Sequence, residues 1–218
     1  MATIQIQRST IKAASHFMAQ KDIRYYLNGV LIESSPVETR ACATDGHAML
    51  LRQEDRKDDN AGSARIILPA DTVATILKWK APFKSAADLP VIITVPDDPK
   101  AEHRAEWCGQ IAVFRPVEGN FPDYQRVIPQ ALSGESAHFN PELLMRCQKA
   151  AVDLGTSKAG YFAFTQNGDN GAAIATFSPQ AFAIVMPMRG DKADAADTSW
   201  ALKPVAAPAS APTLQAVA

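Results

Sequence analysis

One hydrophobic pattern is written three times along this chain: a short strand, an amphipathic helix, then two or three further strands. In the first repeat Ile4 and Ile6 alternate with polar residues, and Ser9 is a helix N-cap ahead of an apolar face carrying Ile11, Ala14 and Met18. Strands are expected at Ile23–Glu33, Glu38–Thr44 and Met49–Arg52. The second repeat opens with a strand over Arg65–Leu68, and Pro69 with Asp71 starts a helix with Val73, Ile76 and Leu77 on one face. Strands follow around Val91–Val95 and Arg104–Arg115. The third repeat opens at Ser136–Phe139. Asn140-Pro141 then reads as an N-cap followed by proline at the first helical position, with Leu143, Cys147, Ala150 and Leu154 facing inward. Strands near Tyr161–Thr165, Ala172–Phe177 and Phe182–Met186 complete it, and Gly168 with Asp169-Asn170-Gly171 supplies turn residues. The pattern predicts an α+β chain with helices on one face of antiparallel sheets.

Beyond Arg189 the composition shifts to GDKADAADTSWALKPVAAPASAPTLQAVA, too poor in apolar bulk to offset the entropy of ordering it. Residues 190–218 are therefore expected to be a disordered tail, in which Trp200 and Leu202 stand out as an anchor. The rest is an ordinary globular composition, 47% hydrophobic and 21% charged over 218 residues, enough for one or two cores. The opening MATIQIQRST lacks a secretory apolar run, and no stretch approaches the roughly 18 apolar residues of a membrane span. The expected setting is the cytoplasm, with no membrane partner. Cys42, Cys108 and Cys147 are odd in number and far apart, which fits neither a disulfide framework nor a zinc knuckle, and no cofactor or metal is expected. With 22 basic and 23 acidic residues the net charge of −1 excludes a protein that grips nucleic acid by overall charge. That balance still leaves room for a local basic face.

Three segments in order carry a resemblance: DIRYYLNGVLIE with ATDGHAMLL in the first repeat, NFPDYQRVIP closing the second, and AIVMPMR closing the third. Together they resemble the bacterial sliding clamp, the β subunit of DNA polymerase III, from about Ile4 to Arg189. The resemblance implies the DNA-clamp (processivity) fold, in which two strand-helix-strand-strand half-repeats make a domain, three domains make a chain and two chains close a ring. On that comparison residues 1–129 are a complete clamp-like domain, the middle one, and residues 130–189 are the C-terminal half of the last. A homo-oligomer is expected, and four chains of three half-repeats would supply the helices of an ordinary ring. The alternative is that the third half-repeat packs on the first domain and DNA is never encircled.

Clamps of this family take short motifs with apolar anchors, borne by DNA polymerase and other proteins. The pocket positions that the resemblance implies are Leu27, Thr44, Gly46, His47, Ala48, Met49, Pro122, Arg126, Val127, Asn140, Leu143, Ile184, Met186, Pro187, Met188 and Arg189. Methionines adapt to varied anchors, while Asn140, Arg126 and Arg189 could fix a peptide backbone. The family usually carries a bulkier basic residue at Ala48 and ends soon after the arginine, so motif preference is expected to differ. For duplex DNA the corresponding positions are Lys21, Arg24, Tyr25, Tyr26, Lys78 and Lys80, with Arg8, Lys12, Arg146 and Lys149 extending a basic lining if they face one way. Asp71 stands where the family often has lysine, which weakens the attraction.

Asp45 and His47 form the one pair that suggests acid–base chemistry. Asp45-Gly46 between two strands is a hairpin signal, and no nucleophile motif or metal-ligand spacing accompanies it, so an enzyme is not expected. The functional reading is a clamp-like processivity or docking factor in DNA replication. The competing one is a decoy that occupies clamp-binding motifs without encircling DNA.

Overall fold

The alternation in the opening strand places Ile4 and Ile6 on one side, and both are fully buried in the computed structural model, which describes residues 1–56, 62–83, 86, 89–98, 100–189 and 198–202. The first repeat comprises β1 (Ala2–Gln7), α1 (Arg8–Ser15), β2 (Gly29–Ser34), β3 (Glu38–Thr44) and β4 (Ala48–Asp55). The second comprises β5 (Ala64–Pro69), α2 (Ala70–Lys78), β6 (Pro90–Val95), β7 (His103–Trp107) and β8 (Gln110–Phe114). The third comprises α3 (Pro141–Asp153), β9 (Ala163–Thr165), β10 (Ala173–Ser178) and β11 (Ala181–Val185).

Several boundaries differ from expectation for local reasons. Helix α1 starts two residues earlier than an N-cap at Ser9 allows, with Gln7 at the N-cap, and it ends before Met18. The expected strand Ile23–Glu33 begins instead as a 3-10 turn over Tyr25–Leu27. The Asn28 side chain closes that turn, accepting from the Asp22 amide at 2.9 Å and donating to the Asp22 carbonyl at 2.8 Å. The run Arg104–Arg115 is a hairpin rather than one strand, because Cys108 and Gly109 both take positive φ, 49° and 79°. Ser136–Phe139 forms only an isolated bridge, His138 to Met188. The Asn140-Pro141 start of α3 is as expected, with the Asn140 side chain accepting from the Glu142 amide at 2.9 Å. Most of the expected tail lies outside the described residues; within it Ser199–Leu202 is a 3-10 turn.

The first two repeats exchange their leading strands. β1 leaves its own repeat to pair antiparallel with β6, giving a four-stranded sheet in the order β1-β6-β7-β8. β5 in turn pairs with β2 at the end of a seven-stranded sheet ordered β5-β2-β3-β4-β11-β10-β9. The third repeat joins that larger sheet through β11, which pairs antiparallel with β4 from Ala48↔Val185 to Arg52↔Ala181. Helix α1 packs against both α2 and α3. Ile4, Ile6, Ile11, Phe17, Ile32, Leu50, Leu68, Ile76, Ile93 and Trp107 are the largest fully buried side chains of the common core beneath them. At roughly 1.5 to 3 kcal/mol for each large apolar side chain, that burial is a major stabilisation of the exchanged arrangement.

Arg8, a candidate for the basic lining, is committed to the interior instead. Its guanidinium donates to the carbonyls of Ile76 at 3.0 Å, Leu77 at 2.5 Å and Trp79 at 3.1 Å, and lies 5.1 Å from the centre of the Trp107 ring. It thereby satisfies the terminal carbonyls of α2, where the helix dipole favours a cation.

Candidate peptide-binding cleft and basic face

The β4–β11 seam carries a cleft of about 150 Å3. Beyond the seam the pairing is extended by the Met186 amide, which donates to the His47 carbonyl at 2.9 Å. One wall is therefore Thr44, Gly46, His47, Ala48 and Met49 from the β3–β4 hairpin, and the facing wall is Ile184 and Met186. Leu27 closes one end from its 3-10 turn, and Pro122, Asp123, Tyr124 and Val127 come from the segment after β8. Beneath lies a second apolar cluster that includes Leu31, Cys42, Ile67 and Phe121. The Tyr124 hydroxyl donates to Glu33 at 2.7 Å, and burial with that carboxylate pushes its pKa up to about 12, so the ring stays neutral and anchored.

The hairpin turn is held by its own aspartate. Asp45 accepts from the amides of His47 at 2.8 Å and Ala48 at 3.0 Å through one oxygen, and binds Arg146 of α3 through the other. Burial alone would raise its pKa, but the Arg146 hydrogen bond and the two amides outweigh it and hold the carboxyl below the usual range. His47 is 77% exposed and its Nδ1 stands 3.9 Å from Asp45, beyond hydrogen-bond reach. The carboxylate is thus spent on the turn and on α3, and Asp45 and His47 do not form an acid–base pair.

Ten of the expected pocket positions line the cleft: Leu27, Thr44, Gly46, His47, Ala48, Met49, Pro122, Val127, Ile184 and Met186. The other six stand apart. Arg126 is 84% exposed and paired with Asp123 at 3.0 Å. Asn140 caps α3, Leu143 is buried in the main core, and Met188 is tied to His138. Half-buried Pro187 and exposed Arg189 flank it beyond the end of β11. Three lining residues were not among the expected pocket positions: Arg24, Asp123 and Tyr124. The last two sit inside the NFPDYQRVIP segment, so the signal was present in the sequence.

A larger and more polar groove of about 730 Å3 runs between α1, α2, α3 and the Asp22 loop, with His16, Arg24, Leu77, Arg146 and Lys149 on its walls. Arg24 is clamped here by Asp22 at 2.7 Å and by the Asp45 carbonyl at 3.1 Å, and the Arg24 hydrogen bonds lower the Asp22 pKa to about 2. Tyr25 is exposed and meets the half-buried Tyr26 edge to face at 5.8 Å. Lys21, at a positive φ of 56°, and Lys78 and Lys80 at the end of α2 are exposed. Lys12 is bound to Asp153 at 2.7 Å and Arg146 to Asp45, so the helix-borne cations are partly neutralised.

No group of three or more histidine, cysteine or acidic residues suited to a metal exists among the described residues, and no described helix is long and apolar enough to cross a membrane. The cysteines are unpaired, and burial pushes the Cys147 thiol up to about 12.

Residues 4–123 match the family model described as DNA polymerase III beta subunit, central domain. The beta sliding clamp of Vibrio cholerae is 32% identical over 173 residues, covering 79% of this chain and 44% of that protein. That of Escherichia coli strain K12 is 31% identical over 120 residues, covering 55% and 31%. A crystal structure of the DNA polymerase III subunit beta from Pseudomonas aeruginosa superposes with a TM-score of 0.66 at 22% identity, over 87% of this chain and 66% of that one. The chain thus spans less than half the length of these curated relatives. By the span of the family match and the shared fold, this chain belongs to the DNA polymerase III beta subunit family, the bacterial sliding clamps.

Proposed function

We propose that the chain is a clamp-type docking and processivity factor in DNA replication, not an enzyme, and that its β4–β11 cleft receives short apolar-anchored segments of DNA polymerase and repair proteins. The observation that carries this reading is the cleft itself. It is apolar on both walls, drawn from two different repeats, and edged by a flexible methionine at Met186. A preformed concave apolar site with few polar groups suits a peptide anchor, and family membership makes clamp-binding motifs the expected occupants. The exposed Lys21, Tyr25, Lys78 and Lys80 would face duplex DNA, positioning it through phosphate and sugar contacts without reading sequence.

The test is fluorescence anisotropy with a fluorescein-labelled clamp-binding peptide. Binding in the micromolar range, about −8 kcal/mol, is expected. Met186→Ala should weaken it several-fold, and Met188→Ala, outside the lining, should do so less. An unchanged affinity in Met186→Ala, or no binding to the parent chain, would remove the cleft from this role.

A further inference from the structure

The chain carries three Asn-Gly pairs: Asn28-Gly29, Asn167-Gly168 and Asn170-Gly171. Asparagine is a thermally labile side chain, most of all before glycine, where no Cβ keeps the following backbone nitrogen from the side-chain carbonyl. By sequence the three pairs are equivalent, and only their surroundings separate them.

Two of the pairs are locked. Asn28 commits both ends of its amide to Asp22, at 2.9 Å and 2.8 Å, and Gly29 is buried. Asn167 accepts from the Ser133 amide at 2.9 Å through Oδ1, and the buried Gly168 spends its own amide on the Glu135 carbonyl at 2.9 Å. A nitrogen donating to a carbonyl cannot lose its proton and attack until that bond opens. Asn170 differs in each respect. It is exposed in the turn between β9 and β10, and among the described residues neither its side chain nor the Gly171 amide makes a hydrogen bond.

We propose that Asn170 is a site of spontaneous covalent modification, cyclising onto the Gly171 nitrogen and opening to aspartate and isoaspartate, and that the junction to the third repeat loosens as it does. Hydroxide takes the Gly171 amide proton, and the nitrogen attacks Cγ of Asn170. The new C–N bond closes a succinimide, while the side-chain nitrogen takes up a proton from water and leaves as ammonia. A second water opens the ring. Opening at Cγ gives aspartate on the ordinary backbone, and opening at the α-carbonyl gives isoaspartate, whose backbone runs through the side chain and is one atom longer. The net change consumes a water and releases ammonia, with no oxidation.

The longer backbone is felt next door. A Cβ at Gly171 would stand 2.2 Å from the Asn167 carbonyl oxygen and 2.6 Å from its Nδ2, so Gly171 packs directly on Asn167. Asn167 holds the Ser133 amide. Its neighbour Gln166 accepts from the Gly134 amide at 3.1 Å through its carbonyl and from the Ala137 amide at 2.7 Å through Oε1. Residues 133–137 run from the second repeat to α3, so a shift at Gly171 is passed to the covalent link between the second and third repeats. None of this depends on whether the cleft binds a peptide.

The full chain is held for days at mildly alkaline pH, folded and in parallel in urea, then digested with trypsin and sequenced by mass spectrometry. The peptide from Ala159 to Arg189 contains both Asn167 and Asn170, so fragmentation assigns the modified residue within one molecule. In the folded chain Asn170 should convert about tenfold faster than Asn167 and Asn28, or more, since those two must first open locally. In urea that spread should collapse. Equal rates at Asn167 and Asn170 in the folded chain, or an Asn170 that stays intact while its urea counterpart converts, would overturn the assignment. Hydrogen exchange at the Ser133 and Gly134 amides should be faster in the aged chain than in Asn170→Gln aged beside it, because the longer side chain of that variant closes the ring far more slowly. Equal exchange in the two would overturn the loosening of the junction.

Discussion

Asp45, in the β3–β4 turn, holds Arg146 of α3 across a separation of 101 residues, and the same carboxylate fixes the amides of His47 and Ala48 on the cleft wall. One side chain thus sets the hairpin turn and docks the third repeat on the first. Arg146→Ala leaves the carboxylate with only its amides and should cost about 1 to 3 kcal/mol, the usual penalty for a charged group losing a partly buried partner. Asp45→Asn, which keeps one acceptor, should cost less. Urea unfolding of both variants checks the order, and peptide affinity should fall more in Asp45→Ala than in Arg146→Ala because only the former frees the turn.

Arg8→Ala removes the three carbonyl contacts at the end of α2 and the stacking over Trp107. The loss of packing and of charge-assisted bonds should destabilise by about 2 to 3 kcal/mol. Arg8→Lys should recover little, since a single ammonium cannot span the fork. DNA affinity should change no more than stability does, because this cation is turned inward. Thermal melts with a parallel DNA titration separate the two effects.

What the sequence made legible was local. The three repeats, the Asn140-Pro141 cap, the Asp45-Gly46 turn and most cleft positions follow from periodicity, cap chemistry and the resembling segments. What it concealed was pairing at a distance. Nothing in Ile4 or Ile6 says that β1 leaves its repeat for β6, since an alternating strand suits either partner. The inward commitment of Arg8 was equally hidden, because it depends on carbonyls 68 to 71 residues away. The Tyr25–Leu27 turn was missed because an apolar run outweighed the Asn28 side-chain bonds that break it.

Gly29 meets the exchanged strand where no side chain fits. A Cβ there would stand 2.5 Å from the Leu68 carbonyl oxygen, a backbone atom that cannot swing aside. Gly29→Ala must therefore push β5 off β2, and a loss of about 2 to 3 kcal/mol is expected from the overpacking. Gly109→Ala, with open space around its Cβ but a φ of 79°, should cost only its backbone strain, about 1 kcal/mol. Denaturant midpoints of the two variants rank them.

If the exposed cations contact phosphate, DNA affinity must fall as salt rises, with a slope that shrinks by about 1 for each contact removed. Lys21→Ala and Lys78→Ala should each flatten the slope. Arg24→Ala should act differently, since that guanidinium is held by Asp22 and the Asp45 carbonyl and its loss frees the loop. A slope unchanged in both lysine variants would place the DNA elsewhere.

Two carboxylates tie the third repeat to the first: Asp45 through Arg146, and Asp153 through Lys12 and His16, each at 2.7 Å. Burial would raise the Asp153 pKa, but its His16 and Lys12 bonds prevail, and like Asp45 it sits below the ordinary 3.8. Between the lowered folded values and 3.8 the unfolded chain binds more protons, so stability rises with pH across that interval and is lost as pH falls through it. Glu54 acts in the opposite sense and at higher pH. Burial raises it above 4.5 despite the Thr10 and Gln7 bonds, so its ionisation costs stability as pH rises through its raised value. Acid titration followed by hydrogen exchange should therefore show α3 losing protection below about pH 4 ahead of α1 and α2. In Asp45→Asn, Asp153→Asn that early step should vanish, because the junction no longer depends on either proton.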